Sequence, residues 1–282
     1  MTADRTHLPR WSRFVAVGDS FTEGLWDTNP DDDARCRGWA DILAARMSSR
    51  RVEAGRPPLE YANLAVRGRL LSPILTDQVP TALELQPDLV SLIGGGNDIL
   101  RPTTDLDRMA RSLEAAVVRL RESGADVLLG TGMDPADSPI MRHTRSRIGI
   151  FNSHIWSIAH RHDAYVLDLW GMHSLRDWRL WSEDRIHLTT EGHARVSQGA
   201  LVALGLGPDD AAWDDSLAPL PPAPRIERAM ADAAWLRGYF YPWATRRLRG
   251  RSTGDVIEAK RPALGPVEVV ADGGDAAVPA RG

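Results

Sequence analysis

The chain has 282 residues with 43% hydrophobic content, enough to bury a full core as one large domain plus extra elements. A formal net charge of -4 argues against general nucleic-acid binding. Cys36 is the only cysteine, so no intrachain disulfide can form, and Lys260 is the only lysine, so the basic character is almost wholly arginine, a compositional bias of the coding genome.

Residues 1–10 carry no apolar core of the kind a signal peptide needs, and no later run is long enough to span a bilayer, so the expectation is a cytoplasmic protein. Apolar runs predict strands near 13–18, 59–65, 89–94, 126–130 and 164–169, with helical patterns near 38–53, 73–85, 105–123 and 146–161 between them. Strands alternating with helices predict a parallel sheet covered on both faces, a three-layer α/β/α architecture.

The first strand gives way to Gly18-Asp19-Ser20-Phe21-Thr22-Glu23-Gly24, a turn that exposes a serine hydroxyl beside the free N–H groups of a helix N-terminus. Asp27-Thr-Asn29-Pro-Asp31-Asp32-Asp33 follows. A calcium loop needs glycine where Asp32 stands and glutamate where Gly38 stands, so this stretch reads as a solvated acidic loop near the site mouth. Asn63-Leu-Ala-Val-Arg-Gly68 ends the second apolar stretch, and Gly94-Gly95-Gly96-Asn97-Asp98 ends the third. After the fourth strand, Met133 to Pro139 cannot be helical throughout and reads as one rim of a pocket. The tryptophan-bearing stretch Trp170 to Trp181, with Trp178 inside it, reads as the other. It leads into Asp184-Arg-Ile-His187, and a threonine, Thr189 or Thr190, caps a helix running to about Leu204.

Beyond Gly205 the prolines Pro208, Pro219, Pro221, Pro222 and Pro224 break any regular element, so 206–222 reads as a linker or wrapping loop. Residues 226–249 are helical in pattern and mix Trp235, Tyr239, Phe240, Tyr241 and Trp243 with arginines, while Pro242 kinks or ends the helix. This mixture suits a lid or an anionic membrane surface, but packing of the aromatics onto the domain is the favoured reading, because exposed aromatics are costly. From Ser252 onward the Gly, Ala, Pro and Asp content reads as a disordered tail. The organisation expected is therefore a main domain over 1–205, a linker with a helical extension over 206–251 and a tail over 252–282.

Four blocks, Gly18-Asp19-Ser20, Asn63 with Gly68, Gly96-Asn97-Asp98 and Asp184-x-x-His187, stand in an order that resembles the SGNH hydrolases, also called GDSL esterases and lipases. The resemblance runs from Gly18 to about Gly205. It implies a flavodoxin-like parallel sheet of about five strands, with Ser20 as nucleophile, His187 as base and Asp184 as its orienter. It also implies an oxyanion hole made of the Ser20 and Gly68 backbone N–H groups and the Asn97 side-chain amide.

The chemistry of these residues agrees with that assignment. Serine is a poor nucleophile at its free pKa and needs an imidazole to take its proton and return it to the leaving group. A carboxylate three residues before the imidazole reaches Nδ1 while Nε2 faces Ser20. Read alone, Ser20 is a helix N-cap, and only the company of the other blocks reverses that reading. Asp98 reads as a turn or capping residue, Asp19 as a group that fixes the Ser20 loop, and Arg67 as a solvated charge. His143, His154, His160, His162 and His193 read as surface or packing residues, and His173 as a second candidate base. There is no zinc-ligand spacing, no Gly-x-Ser-x-Gly elbow and no Gly-x-Gly-x-x-Gly loop, so neither a metal nor a cofactor is expected. The function expected is a serine esterase acting on a small-molecule ester. A carbohydrate O-deacetylase, a lipase, a thioesterase and a non-catalytic binding protein on a retained fold are the alternatives, and the oligomeric state is not legible.

Overall fold

A computed structural model of the chain describes residues 8–29, 32–138, 141–221, 224–241 and 257–268. The strand Arg13–Gly18 (β1) takes the centre of its sheet because every residue after Arg13 is buried. Phe14 and Ala16 pack into one apolar layer and Val15 and Val17 into the other, so alternation along one strand seeds two cores. Thr28–Asn29 (β2) and Asp32–Cys36 (β3) form a separate antiparallel ribbon. The remaining strands are Glu60–Asn63 (β4), Leu89–Ile93 (β5), Asp126–Gly130 (β6), Tyr165–Leu167 (β7) and Arg261–Pro266 (β8). The main sheet has six strands in the order β7-β6-β5-β1-β4-β8, all parallel except β8, which runs antiparallel to β4.

The helices are Ser20–Glu23 (α1), Trp39–Glu53 (α2), Leu71–Pro73 (α3), Val79–Glu84 (α4), Gly96–Ile99 (α5), Leu106–Glu122 (α6), Arg145–His162 (α7), Thr190–Ala203 (α8) and Arg225–Trp235 (α9). One π turn, Ile74–Gln78, joins α3 to α4. In α6 the buried residues Met109, Ala110, Leu113, Ala116, Val117 and Leu120 recur at helical spacing, and Asp105 caps its start by accepting from the Arg108 N–H at 2.9 Å. That stripe shares a core with Phe151, Ile155 and Ile158 of α7, while Leu43 and Met47 of α2 and Val196 and Ala200 of α8 fill the opposite face. Within the parallel set the order β4-β1-β5-β6-β7 places a reversal of winding beside β1, the position where open α/β sheets form a crevice at their carboxyl edge.

Six strands replace the five expected, and the sixth lies in the stretch read as a disordered tail. The sequence Arg261-Pro-Ala-Leu-Gly-Pro266 has two prolines and a glycine, which argue against a central strand, but β8 sits at the edge and pairs on one side only. The Arg261 Nε donates to the Tyr61 carbonyl at 2.8 Å and the Val267 N–H to the Leu59 carbonyl at 2.8 Å, which lock the register. Residues 252–256 and 269–282 lie outside the described residues, as do Pro242, Trp243 and the arginines that follow them.

Lys260, at the start of β8, reaches across to the opposite end of the chain. Its ammonium donates to the carbonyls of Glu23 (2.5 Å), Cys36 (3.0 Å) and Arg37 and pairs with Asp41 at 2.5 Å. Burial pushes the Asp41 carboxyl up to about 6 against the lowering effect of the Lys260 charge. A carboxyl raised in this way is favoured protonated in the fold, so its contribution is lost as pH rises through about 6. Replacing Lys260 by Ala should therefore cost about 3 kcal/mol at pH 8 and less at pH 5, where Asp41 takes up a proton. Urea unfolding of both proteins at the two pH values measures the difference, and an equal cost at both would contradict the pairing.

Candidate active site

The turn after β1 is held by its own backbone. A side chain at Gly18 would stand 2.5 Å from the Ile93 carbonyl oxygen and 2.7 Å from the Thr22 hydroxyl, so only glycine fits. Gln78 completes the support, because its amide accepts from the Gly18 N–H at 2.8 Å and donates to the Gly18 carbonyl at 3.0 Å. Asp19, not Ser20, is the N-cap of α1, accepting from the Phe21 N–H at 3.1 Å. The Ser20 hydroxyl is thereby left for other work.

His187 meets it. The Nε2 of His187 lies 2.8 Å from Ser20 Oγ and its Nδ1 lies 2.6 Å from Asp184 Oδ2. The other oxygen of Asp184 accepts from the Ser182 hydroxyl (2.7 Å) and from the Ile186 (2.9 Å) and His187 (3.0 Å) N–H groups. Burial pushes the Asp184 carboxyl up, but the hydrogen bond and charge of His187 with the backbone and Ser182 donors outweigh it and bring it down to about 2. The chain enters α8 directly afterwards, with Thr189 as N-cap accepting from the Gly192 N–H at 3.3 Å.

Gly68 and Asn97 sit on two loops tied to each other and to α1. The Arg67 N–H donates to Glu23 Oε2 at 2.6 Å and its guanidinium grips the same buried carboxylate, so Arg67 is not the solvated charge that its sequence context suggests. The Asn97 amide donates to the Arg69 carbonyl at 3.1 Å, and Asp98 Oδ2 accepts from the Leu71 N–H at 2.8 Å. Gly68, at φ 74°, is thus bracketed by clamps at 67, 69 and 71. Asp19 Oδ2 stands 3.4 Å from the Asn97 amide, and burial raises its carboxyl to about 6. Asp27 also departs from expectation. It is fully buried, taking hydrogen bonds from Thr190 (2.7 Å) and the Gly38 N–H (3.0 Å), so the acidic stretch starts as a structural knot rather than a solvated loop.

Ser20, Asn97 and His187 line a cavity of about 220 Å³, whereas Gly68 and Asp184 are not among its lining residues and Asp184 reaches it only through His187. Ile93, Ile148, Phe151, Ile155 and Leu175 make the cavity apolar. Both stretches read as rims contribute to its lining, Met133, Asp134, Pro135, Asp137 and Ser138 from the first and Trp178 with Trp181 from the second. His173 is largely exposed with Nδ1 3.6 Å from Asp214, and it does not reach the cavity. His154 and His162 face Asp107 and Glu114, and His193 is a buried packing residue whose Nδ1 accepts from the Trp39 N–H at 3.3 Å. Gln78 and Lys260 carry no motif that would have picked them out, and Glu23, though inside the Gly18–Gly24 stretch, shows no role there, since each acts through a partner dozens to hundreds of residues away.

The six-stranded sheet with helices on both faces defines an α/β protein, with Ser20, Asn97 and His187 gathered at one cavity. Residues 16–195 match the model of the GDSL-like lipase/acylhydrolase family, and the chain belongs to that family of carboxylic ester hydrolases. No curated protein sequence matches it. Among solved structures it is similar to Axe2, an acetylxylan esterase from Geobacillus stearothermophilus, with TM-score 0.58 and 17% identity over 71% of this chain and 97% of that one. It is also similar to LAE5, an alpha/beta hydrolase enzyme from the metagenome of Lake Arreo, Spain (TM-score 0.58, 21% identity, 69% and 95% coverage). A third likeness is to TesA (TM-score 0.53, 22% identity, 68% and 97% coverage). At these identities the likenesses establish the fold.

The depressed Asp184 carboxyl gives a signed prediction. A group with a lowered folded pKa adds stability above its unfolded value, near 4, and loses it as pH falls toward about 2. Between pH 6 and pH 3 the wild type should lose about 1 kcal/mol more than Asp184→Asn, read from urea denaturation at each pH. Parallel losses would mean that Asp184 is not held as described.

Proposed function

We propose that this chain is a serine esterase that hydrolyses carboxylic esters through an acyl-enzyme on Ser20. The observation that carries the reading is the hydrogen-bonded row Asp184–His187–Ser20 opening onto an apolar cavity. His187 Nε2 takes the hydroxyl proton as Ser20 Oγ bonds to the ester carbonyl carbon, and Asp184 holds the imidazolium that forms. The carbonyl oxygen becomes an oxyanion; Ser20 and the Asn97 amide stand at the cavity to receive it, and the Gly68 N–H, carried over from the family pattern although Gly68 is absent from the cavity lining, is the third donor in this reading. Collapse breaks the bond to the alcohol, which leaves with the proton from His187. Water then gives a proton to His187 and attacks the acyl-enzyme, and Ser20 and the carboxylic acid are released. No step uses a metal or cofactor. The catalytic domain in this reading is 1–205, and the substrate is a small-molecule ester.

The apolar lining favours acyl chains longer than acetyl, as in a lipase or thioesterase, because each methylene buried there contributes about 0.8 kcal/mol. A specific feature favours a second reading. Trp178 and Trp181 lie 5.9 Å apart at the rim and offer aromatic faces on which a sugar alcohol would stack, as a carbohydrate O-deacetylase requires. A binding protein on the same scaffold is the alternative of another class.

Hydrolysis of p-nitrophenyl acetate, butyrate and octanoate separates these readings. Ser20→Ala and His187→Ala should each lower kcat/KM by at least about a thousandfold while remaining folded. The wild type should prefer butyrate or octanoate to acetate, whereas an acetate preference would support the deacetylase. A wild type that turns over none of the three and is not labelled by a fluorophosphonate would sink the catalytic reading in favour of binding.

A further inference from the structure

The turn that carries Asp184 and His187 contains a strained residue. Arg185 has φ 55°, in the left-handed region that a side chain beyond glycine disfavours, and its N–H closes the turn on the Ser182 carbonyl at 2.9 Å. Rotation of the peptide between Asp184 and Arg185 changes ψ of the first and φ of the second together. Whatever holds the Asp184 carbonyl therefore also holds Arg185 in its disfavoured conformation.

That carbonyl is held from outside the span matched by the family model, 16–195. The indole Nε1 of Trp235, buried in α9, donates to the Asp184 carbonyl at 2.7 Å. Asp232, one turn earlier, accepts from Arg185 Nη1 at 2.6 Å, and the Arg185 guanidinium lies over the Trp235 ring at 5.4 Å. The Tyr239 hydroxyl donates to Glu183 at 2.7 Å, and its ring meets Trp26 at 6.3 Å. Three successive residues, 183, 184 and 185, are each gripped by the C-terminal extension. No other helix packs on the carbonyl of the orienting aspartate in this way among the described contacts.

We infer that Trp235 and Asp232 are positioning residues for ester hydrolysis: they fix the Asp184–Arg185 peptide plane and through it the direction in which Asp184 presents His187 to Ser20. This inference rests on the serine esterase reading above. The extension is then part of the catalytic apparatus without touching substrate. The physical argument is that a left-handed arginine relaxes unless its neighbours over-determine it, and that relaxation rotates the turn between the carboxylate and the imidazole.

A double-mutant cycle tests it. Trp235→Phe keeps an aromatic ring but loses the five-membered ring and its N–H donor. It should lower kcat for p-nitrophenyl butyrate about tenfold, with KM within about twofold, as expected for loss of alignment rather than of binding. Glycine takes φ 55° without strain, so in an Arg185→Gly background the same Trp235→Phe change should cost less than about twofold. Asp232→Ala, which leaves the indole in place, should give a smaller loss of kcat. Amide hydrogen exchange over 182–188 should accelerate in Trp235→Phe by about as much as kcat falls. An unchanged kcat in Trp235→Phe, or an equal cost in both backgrounds, overturns the inference. If the wild type shows neither turnover nor fluorophosphonate labelling, the esterase reading fails by itself. Exchange over 182–188 then decides the clamp, with faster exchange in Trp235→Phe supporting it and unchanged exchange overturning it.

Discussion

Glu23 is the carboxylate on which the Ser20 side of the site depends. It is buried at the end of α1, and both of its oxygens face Arg67, through the backbone N–H and the guanidinium. Its own carbonyl accepts from Lys260. One residue therefore joins the serine turn, the Gly68 loop and the edge strand β8, three segments that the sheet order brings near one another but does not align. A buried carboxylate without such partners is strongly unfavourable, so the pairing fixes its neighbours as firmly as it is fixed by them.

Two aspartates in the site illustrate how donors, rather than burial alone, set the charge of a carboxyl group. Asp19 and Asp184 are similarly buried, at 7% and 8% exposure. Burial pushes Asp19, which accepts from the Phe21 N–H and distantly from the Asn97 amide, up to about 6, while Asp184 collects three donors on one oxygen and His187 on the other and falls to about 2. The group beside His187 thus stays ionised. The group under the serine turn is held instead as a cap, which frees the Ser20 hydroxyl.

Much of this was legible in the sequence where the signal is local. Alternation in β1, the apolar stripe of α6 and the strand at 126–130 follow from periodicity, and the four blocks mark the loops that carry Ser20, Gly68, Asn97, Asp184 and His187. What periodicity cannot register is a partner far along the chain. The strand β8 hides behind its prolines because edge pairing with β4 tolerates them. Arg67 and Asp27 read as solvated because their partners, Glu23 and Thr190, are tertiary neighbours, and Trp235 reads as one aromatic among several until its indole is found on the Asp184 carbonyl.

The single lysine has a chemical consequence. Every other basic side chain outside the histidines is a guanidinium, which neither acyl donors nor amine-directed reagents modify under mild conditions, and the Lys260 ammonium is enclosed by three carbonyls and Asp41 with 11% of its side chain exposed. A protein of an acylhydrolase family thus presents no open lysine amine to capture acyl groups. Any lysine-directed acylation of the folded chain would report that β8 had come away from the base of the serine turn.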